Sequence, residues 1–138
     1  MVVTGAAALL LPELRREARA TVEQVASFVR DFAGAAPLHQ GKVKLEVPVL
    51  VENGNAVPMT VSVDAPPDQV KALAVFATGN PLPEVLRMRF GPQAGVARIS
   101  TRIRLADSQT VVAVARMADG TCWQDSVELL VTLAACIE

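Results

Sequence analysis

At 138 residues the chain has room for one domain, and a hydrophobic share of 51% is enough to build one core. Thirteen basic against fourteen acidic side chains leave a net charge of −1, and four Phe, one Trp and no Tyr offer little for base stacking, so nucleic acid is not an expected partner. No apolar run approaches the ~20 residues that cross a bilayer, so no membrane span is expected.

The first eleven residues end in an apolar stretch, Val2 to Pro12, followed by Arg15 and Arg16. A secretory signal places its positive charge first, so residues 1–11 read either as the remnant of a signal or as a disordered lead. From Pro12 to Phe32 the positions Leu14, Ala18, Val22, Val25, Val29 and Phe32 recur at spacings of three and four, which predicts one amphipathic helix ended by Gly34 and Pro37. Helix and linker together take residues 12–40.

Beyond the linker the period becomes two. Val43, Leu45, Val47, Val49 and Val51 alternate with polar residues and Pro48, predicting a half-exposed strand. Glu52-Asn53-Gly54-Asn55 supplies the Asn-Gly hairpin signal, and Val57, Met59, Val61 and Val63 resume the alternation. Further strands are expected at Val70–Ala77, at Arg87–Phe90 after the Asn80-Pro81-Leu82-Pro83 break, and at Ala97–Leu105. In the last of these Ile99, Thr101, Ile103 and Leu105 share one face and Arg98, Ser100, Arg102 and Arg104 the other. Asp107-Ser108 turns the chain into Thr110–Met117, and Asp119-Gly120 into Trp123–Leu133. About seven short strands joined by short turns predict an all-β, immunoglobulin-like antiparallel β-sandwich over residues 41–133, preceded by one N-terminal α-helix standing against one end or before it.

The chemistry-bearing residues are few. There is no phosphate-cradling glycine loop, no paired carboxylates in an assignable cleft and no nucleophile beside a base. One histidine and two cysteines do not make a zinc site, so neither metal nor cofactor is expected. His39 reads as a surface residue, Trp123 as a core anchor, and Arg98, Arg102 and Arg104 as the wet face of a strand. Cys122 and Cys136, separated by one extended strand, would lie roughly 45 Å apart and cannot pair. Cys122 reads as an ordinary turn or edge residue. For Cys136 the residues alone leave two readings: a small apolar side chain packed at the end of the last strand, or a thiol exposed on a terminal arm.

The stretch Val51-Glu52-Asn53-Gly54-Asn55-Ala56-Val57-Pro58-Met59, the break Gly79-Asn80-Pro81-Leu82-Pro83, and Phe90-Gly91-Pro92-Gln93-Ala94-Gly95 running into Ile99 to Ala106 and Val111 to Gly120 resemble SoxY, the carrier subunit of periplasmic thiosulfate oxidation. The similarity runs in order from Gly41 to Glu138. It implies a non-catalytic carrier in the periplasm, a SoxZ-like subunit as heterodimer partner, and sulfur-oxidation enzymes that dock a C-terminal arm over residues 134–138. In SoxY that arm ends Gly-Gly-Cys-Gly-Gly. Here it is Ala134-Ala135-Cys136-Ile137-Glu138, similar to a SoxY-related group with this ending, so the cysteine keeps its place while the glycines are gone.

Cys136 is thereby implied as the covalent attachment point for a sulfur species or other thiol-reactive cargo, with Ala134, Ala135, Ile137 and Glu138 as the part that clients grip. Three residues from Leu133 to Cys136 reach at most roughly 10 Å. Alanine forbids the positive-φ conformations open to glycine, so the arm is expected to be stiffer, and the charges of Glu138 disfavour a thiolate until a partner supplies positive charge. The rival reading is a non-covalent adaptor whose arm only docks.

Overall fold

The computed structural model describes residues 22–133. The expected lead over residues 1–11, the helical turns before Val22 and the arm over residues 134–138 lie outside the described residues.

The helix, α1 (Val22–Ala33), ends where the sequence predicts. Gly34 takes a φ of 72° and donates its N–H to the carbonyl of Arg30 at 2.7 Å, a left-handed cap that a side chain would strain. The strands that follow are β1 (Leu38–His39), β2 (Val43–Glu46), β3 (Leu50–Val51), β4 (Val57–Val63), β5 (Val70–Ala77), β6 (Glu84–Met88), β7 (Arg98–Ile103), β8 (Gln109–Met117) and β9 (Cys122–Val131). They form a small sheet in the order β2-β4-β7 and a large one in the order β1-β9-β8-β5-β6, with β3 also paired to β9. The sandwich is therefore as expected, with two additional two-residue strands.

The core lies between the sheets. Leu45, Val57, Met59 and Val61 from the small sheet face Leu73, Val75, Val111, Ala113 and Ala115 from the large one. A second, smaller core lies on the other side of the large sheet, where Phe32 packs with Ala72, Ala74, Phe76 and Val114. The helix thus crosses the outer face of β5 and β8, not the end of the sandwich. This explains why Val70–Ala77 lacks a clean alternation: nearly every position is buried, half of them under the helix. The Phe32 and Phe76 rings meet edge to face at 6.2 Å, and the guanidinium groups of Arg87 and Arg116 lie 5.2 and 5.4 Å from the Phe32 ring.

Three expectations change. β2 and β4 pair antiparallel, from Val43 opposite Val63 to Glu46 opposite Thr60, but Asn53-Gly54 does not close a tight hairpin between them. After Glu46 the chain leaves the small sheet at Val47-Pro48-Val49, and β3 pairs in parallel with β9. Pro48 has no N–H to offer a ladder, which suits it to the crossing. Thr101 is exposed although its alternation places it inward, on the last strand of its sheet opposite the buried Met59. The fourth long strand runs Glu84–Met88, earlier than Arg87–Phe90, since Pro83 marks its start rather than a longer break.

Replacing Phe32 with Ala removes the side chain that joins α1 to the sheet. Unfolding in urea should show a loss of about 3–5 kcal/mol with the β-sheet circular dichroism retained. An unchanged midpoint would mean that the helix is not part of the cooperative unit.

Candidate functional site

Leu133 is the last described residue before the expected arm, and the structure fixes the chain up to that point. The amide of Val131 donates to Ser108 Oγ at 2.8 Å. The amide of Thr132 donates to the Val51 carbonyl at 2.9 Å, while Thr132 Oγ1 donates to the carbonyls of Val51 and Glu52 at 3.3 and 3.2 Å. Finally the Leu133 carbonyl accepts the N–H of buried Gly54 at 2.7 Å. The Gly54 carbonyl in turn accepts the amide of Leu105 at 2.8 Å, so one buried glycine ties Leu133 to the chain just after β7.

Behind this clamp lies a buried amide pair. Gln109 Nε2 donates to Asn80 Oδ1 at 3.0 Å and to the Asp107 carbonyl at 2.8 Å, and its Oε1 accepts the Gly79 amide at 2.8 Å. Asn80 Nδ2 donates to the Arg104 carbonyl at 2.9 Å and Oδ1 accepts the Ala106 amide at 2.9 Å. These bonds satisfy both buried side chains and hold residues 104–109, which include Ser108. Gly79 belongs to the same packing: a Cβ there would meet Gln109 Cβ at 3.0 Å.

Around the root the surface is apolar. Val49, Leu50, Leu130 and Leu133 are 67%, 57%, 62% and 60% exposed, and Leu50 lies opposite Leu130 in the β3–β9 register. Beside them a groove of about 510 Å³ runs between α1 and β9, lined by Val25, Thr78, Gly79, Ser108, Leu129 and Leu130 among others.

The remaining sequence candidates fall elsewhere. Cys136, Ala134, Ala135, Ile137 and Glu138 lie outside the described residues. Cys122 is not a turn or edge residue: it is fully buried where β9 begins, and its Sγ donates to the Ala33 carbonyl at 3.5 Å under the end of α1. Burial pushes its thiol above the ordinary value, with the facing Arg116 opposing the shift. With β9 ten residues long, it sits roughly 30 Å from the arm root. His39 is exposed on β1 with its ring 5.2 Å from Trp123. Trp123 is partly buried and packs against the main core, as expected, while its Nε1 donates to Thr121 Oγ1 at 3.1 Å and its outer side lies beneath the Lys42 ammonium. Arg98, Arg102 and Arg104 are exposed. Among the described residues no group of three or more His, Cys, Asp and Glu side chains could hold a metal ion.

Sequence reasoning missed Ser108, Gly54 and the Asn80–Gln109 pair as supports of residues 131–133. Asn80 and Gln109 are polar residues beside apolar runs, a weak signal without their burial. Ser108 and Gly54 were readable only as turn residues.

Two outcomes test this account. In a Ser108→Ala variant the loss of one bond, worth about 1 kcal/mol, should speed exchange of the Val131 amide about fivefold while amides of β5 are unchanged. In a Cys136→Ser background Cys122 should resist a thiol-specific reagent at pH 8 and react stoichiometrically in denaturant. Because its folded pKa is raised, Cys122 contributes stability that is present below the unfolded thiol value and is lost as pH rises through the folded one. Equal stability at pH 8 and pH 10 in Cys122→Ala and its parent would contradict that.

Comparison with known proteins follows from this geometry. The family model described as sulfur oxidation protein SoxY matches residues 29–136. No curated relative matches the chain. Among solved structures, the sulfur carrier protein SoxY from Chlorobium limicola f thiosulfatophilum superposes with a TM-score of 0.69 at 23% identity, covering 82% of this chain and 100% of that one. Superoxide reductase (neelaredoxin) from Ignicoccus hospitalis gives 0.55 at 19% identity, covering 83% and 96%. A putative superoxide reductase from Thermotoga maritima gives 0.55 at 21%, covering 69% and 87%. At these identities the structures establish the fold, which two kinds of protein share. The family match spans most of the chain and ends at Cys136, and on it the chain belongs to the SoxY family of sulfur oxidation proteins.

Proposed function

We propose that this chain is a SoxY-like carrier subunit that presents Cys136 for covalent attachment of a sulfur species of the thiosulfate or sulfane type. The observation that carries the reading is the family match reaching Cys136, together with an arm root clamped as far as Leu133, three residues earlier. A rigid root and an arm of roughly 10 Å let the thiol reach a partner's pocket only if that partner seats itself against the end of β9. Coupling the Cys136 thiolate to the outer sulfur of thiosulfate with its sulfonate retained forms an S–S bond and releases two electrons to a partner enzyme. A sulfane sulfur taken from a persulfide needs no oxidant, because the donor thiolate leaves with the electron pair. The chain is then a non-enzyme: loading and cleavage are the clients' chemistry. A SoxZ-like subunit as heterodimer partner and a periplasmic location belong to the same proposal. No described helix is long and apolar enough to cross a membrane.

A second reading, a non-covalent adaptor whose arm only docks, draws on the exposed Val49, Leu50, Leu130 and Leu133, which would suit a protein partner without any thiol chemistry. One pair of variants separates the two. On the carrier reading Cys136→Ser abolishes every mass adduct on protein purified from its native host while the fold and the heterodimer remain. On the adaptor reading that change is silent and deletion of residues 134–138 weakens partner binding. A full adduct load on the Cys136→Ser protein would end the carrier reading.

A further inference from the structure

The chain is nearly neutral, yet its charge is unevenly placed. Between Val85 and Ala106 stand five arginines, Arg87, Arg89, Arg98, Arg102 and Arg104, with no acidic residue among them, so the rest of a chain of net charge −1 is acidic. All five are exposed. Arg87 pairs with Glu84, and among the described residues the other four have no ion-pair partner within 4 Å.

Three of them, Arg98, Arg102 and Arg104, stand on β7 or directly after it, whereas Arg87 lies over Phe32 on the helix-covered face of the large sheet. β2 packs near β9 and β8, which leaves β7, at the other end of the small sheet, on the side of β6, the last strand of the large one. Among the described residues both are edge strands, with one neighbour each. The direction of the free backbone groups on β7 follows from its partner. Pro58, which has no N–H, lies opposite Arg102, and the amide of Val63 donates to the Ala97 carbonyl at 2.8 Å. In an antiparallel ladder hydrogen-bonded and non-hydrogen-bonded pairs alternate, so Ile99, Thr101 and Ile103 bond β4 while the N–H and C=O groups of Ser100 and Arg102 point outward. The same even-numbered residues carry their side chains on the exposed face. Ser100 is held there by a 2.8 Å bond to Thr60 Oγ1.

We infer that the open edge of β7 is a docking site for an acidic β-strand of another protein. The incoming strand extends the three-stranded sheet through the backbone groups of Ser100 and Arg102 and sets its carboxylates beside Arg98 and Arg102. Strand addition supplies the main-chain bonds, and cross-strand pairs of opposite charge supply the choice of partner. Until it is occupied, the arginines keep this edge from pairing with its own copies, because like charges would meet across the joint. The inference does not depend on Cys136 or its cargo.

The test uses the full chain and two eight-residue peptides, one alternating glutamate with valine and one alternating lysine with valine. The acidic peptide should bind, slow exchange of the Ser100 and Arg102 amides, and lose about tenfold in affinity when salt is raised from low to several hundred millimolar. The lysine peptide should not bind, and Arg98→Glu with Arg102→Glu should reverse the preference. Ser100→Pro, which removes an outward amide without touching the bonds to β4, should abolish binding while thermal unfolding stays cooperative. Equal binding of both peptides would overturn the proposal. So would binding of the acidic peptide that leaves exchange of the two amides unchanged, which would make the edge a general anion surface. Self-association of the peptide-free chain through this edge would assign it to a second copy and overturn the proposal as well.

Discussion

The parallel pairing of Leu50–Val51 with Leu130–Val131 is the contact on which the arrangement depends. It carries the chain from the small sheet to the large one, closes that side of the sandwich and places Val51, Glu52 and Gly54 against the last residues of β9. Without that crossing, Thr132 and Leu133 would have no backbone partners, and the terminal segment would begin wherever β9 frayed. The buried Asn80–Gln109 pair then fixes the Ser108 side of the same clamp.

The large sheet is unusual in being covered on both faces over β5 and β8, by the small sheet on one side and α1 on the other. The covering explains the composition of Val70–Ala77 and the fate of Cys122, which is sealed at the far end of β9 by the end of the helix. The two cysteines of the chain therefore stand in opposite roles: one is a buried packing residue, and the other is the proposed point of attachment.

Much of this was legible in the residues. The period-two alternation of Val57–Val63 is read directly as a strand buried on one face, and Gly34 marks the helix end because its backbone needs the left-handed region. Where reading failed, tertiary contacts had overridden local pattern. Val43–Val47 alternates cleanly, and only Pro48 and the apolar run Val49-Leu50-Val51 hint that the chain changes sheets. Asn53-Gly54 carries a hairpin signature, but Asn53 Oδ1 accepts the nearby Asn55 amide at 3.0 Å, while Gly54 bonds Leu105 and Leu133, residues more than fifty positions away. The position of Cys136 in the sequence, by contrast, was plain from the start, and so was its family, because both reside in local strings of residues.

The clamp at the end of β9 has a mechanical side. On the proposed carrier role, an enzyme that grips residues after Leu133 and then departs would load β9 from its end, and the bonds of β9 to β8 and β3 run across the strand axis. Tension is then shared by the whole ladder in shear instead of peeling one rung after another. A subunit handled repeatedly from its tail can in this way be tugged without unravelling.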